Sequence, residues 1–330
     1  MYSDVLYTVN KKYLTIFLAS MYSLLENSKL ENIRIHLVTD GFDRECFEKV
    51  YAVLAKFPGT KLNTYNIEWF DINRFNLPDW RGTQIANARL FMESVIDLND
   101  VDNILYLDAD TIVVDDLSGL KEKYGDAVIA ASYDGCVKSY GDSLGLKKYY
   151  NSGVLYINVR KWLEIEAQER ILYAIKHNEH ELNFPDQDIL NIALKEFYET
   201  LPVEYNMAPY IYALDEKQAR RYFNGDKKYI SYDVAKEASE HPKILHTIGL
   251  FGIKPWMENK VNPYNDVFME YLLSVDPTFK KEELPMYKKL FASNKELFYK
   301  LLTARTYLPK GVEETARKLS LGLQQVKKKK

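Results

Sequence analysis

The residues of this chain best suited to chemistry are acidic, and they follow a strand. The apolar run Ile104-Leu105-Tyr106-Leu107 ends in Asp108-Ala109-Asp110. In an extended segment residues i and i+2 point to the same side, so Asp108 and Asp110 can converge on one cation. Hard carboxylate oxygens suit Mg²⁺ or Mn²⁺, above all where phosphate oxygens complete the shell. Asp-x-Asp is a short pattern, and two loop aspartates capping the next turn would read the same way. Asp186-Gln187-Asp188 precedes an apolar helical run and reads first as a helix cap. His246, alone in its stretch, reads first as a satisfied histidine.

The elements that must position these residues alternate. Val5–Val9 is a short apolar strand, and Leu14, Phe17, Leu18, Met21, Leu24 and Leu25 then recur at helical spacing. Lys11-Lys12 before that apolar stretch has the look of a signal peptide, but the strand ahead of it favours a first strand and helix. Ile33–Val38 is a second strand. A helix through Cys46, Val50 and Leu54 ends near Pro58-Gly59, and Thr64–Ile67 is a third strand. A helix is expected over 84–96, with Leu90, Phe91 and Val95 buried. Strands follow at 103–107, 128–132 and 153–158. Alternating strands and helices imply an α/β fold with a mostly parallel sheet. Ligands in such sheets bind at the carboxyl ends of strands, where the polar clusters of this chain lie.

Composition narrows the class. With 330 residues, 47% hydrophobic and 28% charged, the chain is globular rather than disordered. Two cysteines, Cys46 and Cys136, make no disulfide framework and no metal site, which suits a reducing compartment. No run of about 18 apolar residues is present to span a membrane. The net charge of -3 hides a split. Residues 280–330 hold 14 basic and 5 acidic side chains, while the preceding 279 hold 30 basic and 42 acidic. Charge asymmetry of this kind marks a tail with its own partner.

Three further motifs accompany the Asp108/Asp110 strand: Tyr150-Asn151-Ser152-Gly153-Val154-Leu155-Tyr156-Ile157-Asn158 with Trp162, Phe184-Pro185-Asp186-Gln187-Asp188, and His246-Thr247-Ile248-Gly249 with Lys254-Pro255-Trp256. In this order the set resembles glycosyltransferase family 8, over roughly residues 4 to 265. That resemblance implies a Rossmann-like, mixed, nucleotide-binding sheet flanked by helices (GT-A type). It also implies a retaining, metal-dependent transferase that uses a nucleotide sugar. By the same resemblance Thr8, Asn10 and Tyr13 hold the uracil and ribose, with Asn10 where the family usually has Asp. Arg89 contacts the donor, and Asp108, Asp110 and His246 hold the metal, with Ala109 beside the donor. Gly249 and Lys254 belong to the segment that contacts the pyrophosphate, where the Gly249-to-Lys254 spacing is longer than in bacterial galactosyltransferases of the family. Asn151 contacts donor or acceptor, and Ser152-Gly153 allows close backbone approach. Asp186 holds sugar hydroxyls and Gln187 lies near the anomeric carbon.

The chemistry agrees with those roles. A nucleotide diphosphate gains negative charge as it leaves, which a divalent ion and Lys254 would neutralise. Nitrogen mixed with oxygen ligands favours Mn²⁺, with Mg²⁺ possible. An amide is a poor nucleophile. Attack by the acceptor hydroxyl from the leaving-group side is therefore expected, with Gln187 steadying positive charge on the sugar. The expected reaction moves galactose or glucose from a uridine diphosphate sugar to a saccharide acceptor of a cell-surface glycan or glycoprotein. Two rivals remain: a degenerate, merely sugar- or nucleotide-binding protein, and a haloacid-dehalogenase-type phosphatase with Asp108 as nucleophile. The phosphatases, however, place that motif near the start of the chain.

The expected organisation is a catalytic domain over 1–279 and a basic, amphipathic, helical tail over 280–330. Tyr287, Leu290, Phe291, Leu297, Phe298, Leu301 and Leu302 give the tail one apolar face. At roughly 1 kcal/mol per lysine or arginine near an anionic surface, such a tail suits peripheral attachment to the inner face of a membrane, and the same pattern also fits a helix packed on the body with its lysines in solvent. The expected location is therefore cytoplasmic. A nucleic-acid partner is not expected, since the body is acidic and no recognition motif occurs.

Overall fold

The computed structural model describes residues 2–79, 82–134, 138–213, 215–217, 219–220, 230–248 and 252–294. Seven strands form the main sheet: β1 (Ser3–Asn10), β2 (Ile33–Asp40), β3 (Lys61–Asn66), β4 (Asn103–Leu107), β6 (Ile129–Tyr133), β7 (Tyr150–Asn158) and β8 (Tyr198–Thr200). Their order is β3-β2-β1-β4-β7-β6-β8. A separate pair joins β5 (Thr111–Val113) to β9 (Ile244–His246).

The inner strands of the sheet are buried on both faces, as befits a sheet covered by helices on both sides. Val5, Tyr7 and Val9 pack with Phe17, Met21 and Leu24 on one side of the sheet. Leu6 points the other way, into a cluster with Phe91, Trp162 and Ile189. Side chains start several of the helices. Asp43 accepts from the Cys46 N–H, and Asn158 from the Lys161 N–H, at the first turns of Arg44–Leu54 and Val159–Glu164.

The sheet is mixed, and that decides where the polar residues meet. β1 is parallel to both β2 and β4, so Asn10 and Asp108 emerge at the same edge. β7 runs antiparallel to β4, with Leu107 opposite Val154. The start of β7, not its end, therefore lies at that edge. The Asp108 N–H donates to the Gly153 carbonyl at 2.8 Å.

Two expectations change, and three strands were not foreseen. Residues 85–91 form a 3₁₀ helix, followed by a single α-turn at Met92–Val95. Here Arg89 Nε competes for a helical carbonyl, donating to that of Ala86 at 3.0 Å, while Asn87 Nδ2 bonds the Gln84 side chain at Oε1 at 2.5 Å. The third strand is Lys61–Asn66, an edge strand without buried residues, and so without the alternation that a half-buried strand shows. β5, β8 and β9 are each three residues long, too short to display a period.

Of the basic tail, the described part reaches residue 294 and contains the helix Met286–Ser293. This part lies against the body: the Glu282 N–H donates to the Trp256 carbonyl at 2.9 Å, and Leu284 and Ala292 are buried. The remainder of the expected amphipathic helix, with Leu297, Phe298, Leu301 and Leu302, lies outside the described residues. Among the described residues, no helix is long and apolar enough to cross a membrane.

Candidate active site

Ligand atoms of Asp108, Asp110 and His246 lie within 4.8 Å of one another. Two elements bring them together. Asp108 and Asp110 leave the carboxyl end of β4, and β9 carries His246 opposite Thr111 in β5. His246 Nε2 stands 3.6 Å from Asp108 Oδ2 and 3.5 Å from Asp110 Oδ1.

The surroundings fit a divalent cation. Asn206 donates its amide N–H to Asn151 Oδ1 at 2.9 Å, which leaves Asn206 Oδ1 to accept from His246 Nδ1 at 2.9 Å. With Nδ1 engaged by Asn206, Nε2 is the ring nitrogen that faces the two carboxylates, the orientation a metal-binding histidine requires. β7 must pass close by, and only glycine permits it. A Cβ on Gly153 would sit 2.2 Å from His246 Cε1 and 2.8 Å from Asp108 Oδ2.

Cationic side chains enclose the cluster. The buried Lys254 ammonium donates to Asp110 Oδ2 and, at 2.8 Å, to the Thr247 carbonyl. Burial alone would raise the pKa of Asp110, but Lys254 and His246 hold its carboxyl well below the usual carboxylate range. Arg89, 7% exposed, spans two carboxylates: its guanidinium is 2.7 Å from Asp108 Oδ1 and 3.2 Å from Asp186 Oδ2. It also donates to the Ser152 carbonyl at 2.7 Å, so protein groups take up much of its hydrogen-bonding capacity. Burial raises the pKa of Asp186, against the pull of Arg89.

The helix Pro185–Ala193 divides its first turn between site and cap. The Asp188 carboxylate turns back to accept from the N–H groups of Asn183 (2.8 Å) and Phe184 (2.9 Å). Asp186 and Gln187 face the other way. Asp186 accepts from the Ser152 hydroxyl at 3.0 Å, and Gln187 Oε1 accepts from the Ser152 N–H at 3.0 Å and Asn151 Nδ2 at 3.1 Å. Gln187 Nε2 donates to Asp134 at 3.0 Å.

The remaining expected residues lie nearer β1. Thr8 shares a 3.1 Å hydrogen bond with the Tyr106 hydroxyl, which donates to Asp108 at 2.9 Å. Asn10 Oδ1 accepts from the Tyr13 N–H at 3.2 Å and so caps the turn at Lys11–Tyr13. Tyr13 meets the edge of Trp256. Ala109 lies between the two aspartates, half-buried. Gly249 lies outside the described residues.

Sequence reasoning missed Asn206, Asp134 and Tyr106. Asp134 follows directly on β6, so the strand-end rule could have found it. Tyr106 had a signal as well, two residues before Asp108 and therefore on the same side of the strand. Asn206 has no local signal, because its role comes from a neighbour forty residues away.

The mixed sheet, with an Asp-x-Asp and histidine cluster suited to a cation at the end of its fourth strand, defines a glycosyltransferase of the GT-A type. The chain belongs to glycosyltransferase family 8: the sequence model of "Glycosyl transferase family 8" matches residues 4–260. A lipopolysaccharide 1,2-glucosyltransferase of Escherichia coli K12 is 26% identical over 92% of this chain and 87% of its own length. General stress protein A of Bacillus subtilis is 28% identical over 76% of this chain and 86% of its own. The structure of galactosyltransferase LgtC, solved with donor and acceptor sugar analogues, superposes with a TM-score of 0.67. It is 22% identical, with 87% of this chain and 99% of that one covered, and so supports the fold. Membership of this family removes the phosphatase reading.

Proposed function

We propose that the protein is a retaining hexosyltransferase. It would move galactose or glucose from a uridine diphosphate sugar to a saccharide acceptor of a cell-surface glycan or glycoprotein. The observation that carries this is the Asp108–Asp110–His246 cluster at the carboxyl edge of β4, with Lys254 on one side and Arg89, Asp186 and Gln187 on the other. The named activities of the relatives, glucosyl and galactosyl transfer, support the hexose class.

Asp108, Asp110 and His246 would hold the divalent ion, Mn²⁺ in preference to Mg²⁺ on account of the imidazole. When bound, that ion supplies Lewis-acid neutralisation of the leaving diphosphate. Lys254 adds a fixed positive charge on the same side of the site. Arg89 holds Asp108 and Asp186 at a set separation, and through Ser152 it ties the start of β7 to both. Asp186 binds sugar hydroxyls, Gln187 steadies the positive charge that develops on the sugar as the acceptor hydroxyl attacks from the leaving-group side, and Asn151 contacts donor or acceptor. A departing phosphate oxygen takes the acceptor's proton, so no protein base is needed. Thr8, Asn10 and Tyr13 bind the nucleoside. The basic tail attaches the enzyme to the cytoplasmic face of an anionic membrane.

The test is a screen of uridine diphosphate sugars with Mn²⁺, measuring released nucleotide with and without saccharide acceptors. One hexose donor is expected to turn over, and Asp110→Asn to abolish its Mn²⁺-dependent binding. Absence of turnover with every donor and acceptor would favour a binding protein. Unchanged donor affinity in Asp110→Asn would remove the metal assignment.

A further inference from the structure

The turn that carries Lys254 is gripped from two sides. On the inner side, Asn259 Nδ2 donates to the Lys254 carbonyl at 3.0 Å and Asn262 Nδ2 to the Ile253 carbonyl at 3.3 Å. On the outer side lies the first part of the basic tail. The Glu282 N–H donates to the Trp256 carbonyl, the Glu258 N–H to the Glu282 carbonyl and the Lys260 N–H to the Ala292 carbonyl, each at 2.9 Å. Leu284 and Ala292 share one apolar cluster with Ile253 and Val261. Lys288 then reaches across, and its ammonium donates to the Gly252 carbonyl at 3.2 Å. Gly252 has φ +70°, and a Cβ there would lie 2.8 Å from the Lys288 nitrogen. The glycine thus meets two needs at once: a left-handed turn and room for the lysine.

We infer that residues 282–292 are a strap that positions the Lys254 ammonium, and that Lys288 is a positioning residue of the donor site. This rests on the proposal that Lys254 serves the donor diphosphate. A lysine side chain is long and rotatable, so where its ammonium stands depends on how firmly its backbone is held. Backbone pairing by the strap holds 256–260, downstream of Lys254, and Lys288 holds Gly252, upstream of it. A tail whose charge suggests an anchor is, at its root, part of the site's framework.

The test compares Lys288→Met, Lys288→Arg, Lys289→Met and Lys254→Ala in the full chain, with Mn²⁺ and the best hexose donor from the screen. Lys289 is on the same helix but pairs with Glu283 at 3.2 Å, away from the turn, and controls for tail charge. Loss of precise placement should raise the donor KM of Lys288→Met about tenfold, short of the roughly hundredfold cost of a full 1 Å misplacement. Its kcat should stay within about twofold and its Tm within about 2 °C, since one half-buried side-chain contact carries little of the fold. Lys288→Arg should restore the KM, and Lys289→Met should behave as wild type. A normal donor KM in Lys288→Met, beside a raised one in Lys254→Ala, overturns the strap alone. A normal KM in Lys254→Ala overturns the donor role of Lys254, and the strap with it. A KM change in Lys288→Met that comes only with a large fall in Tm and is not restored by arginine makes the residue merely structural and also overturns the inference.

Discussion

Gly153→Ala puts the site to the most direct test, because the size of the effect follows from how closely β7 passes His246. The new Cβ would stand 2.2 Å from His246 Cε1 and 2.8 Å from both His246 Nδ1 and Asp108 Oδ2. Carbon atoms in contact settle at about 3.5–4.0 Å, so something must retreat by more than about 1 Å. β7 is fixed by its pairing with β4 and β6, and Gly153 also accepts from the Asp108 N–H. The imidazole is the more movable partner, yet it is tied to Asn206 Oδ1 and sits on a strand paired to β5. Its displacement carries Nε2 away from the two carboxylates. A shift of this size should lower kcat/KM by about 100-fold. Overpacking should cost about 1–3 kcal/mol of stability. Mn²⁺ affinity by calorimetry, donor turnover and urea unfolding are the three measurements. Mn²⁺ affinity and turnover both within twofold of wild type would refute the reasoning, for they would mean that His246 need not stand where it does.

Four further outcomes are expected. Asn206→Ala removes the acceptor that sets the His246 tautomer and should weaken Mn²⁺ binding by about 10–100-fold, a loss that Asn206→Asp should largely avoid; equal affinities in all three proteins would remove the tautomer assignment. Gln187→Ala should cut turnover at least tenfold while sparing donor affinity, and turnover surviving within a few fold would end its charge-stabilising role. Asp4 is buried between Arg34 and His36; burial opposes its ionisation, but hydrogen bonds from His36 and Arg34 prevail and lower its pKa. A depressed native pKa contributes stability above the unfolded value near 3.8, lost as pH falls through the native value. Asp4→Asn should therefore cost about 3 kcal/mol at pH 7, with the gap to wild type narrowing below about pH 4; a gap independent of pH by urea titration would contradict the ion-pair account. Deleting residues 295–330, which begins beyond the strap, should weaken association with anionic vesicles and leave donor turnover intact; equal vesicle binding would remove the anchor.

Much of the fold was legible because its strands are locally marked. β1 and β4 carry apolar runs with Asn10 and Asp108 at their ends, β2 alternates Arg34 and His36 with apolar residues before Leu37-Val38, and the helix Leu14–Asn27 repeats at helical spacing. The elements that went unread are short or held from elsewhere. β5 and β9 have three residues each and exist as strands because they pair with one another. The stretch 84–96 has a helical pattern, but Arg89 and Asn87 bond its carbonyls and neighbouring side chains, and a 3₁₀ turn results.

The same division runs through the site. Asp108 and Asp110 are expected on one side of an extended segment, but β4 ends at Leu107 and they flank a tight turn in which the Thr111 N–H donates to the Asp108 carbonyl at 3.2 Å, so a local turn rather than the strand period keeps them together. Asp188 turns back onto the N–H groups of Asn183 and Phe184, within five residues. Those features are local, and the sequence by itself determined them. It also carried the family, whose four motifs keep their order along the chain. Where His246 stands relative to the aspartates depends on a strand pairing that spans more than a hundred residues. Whether Arg89 meets donor or protein depends on Asp108, Asp186 and Ser152, each brought to it by a different element. The need for Gly153 arises because an antiparallel strand passes a histidine at van der Waals range. These are contacts between segments distant in sequence, set by sheet order and close packing, and only the tertiary structure decided them.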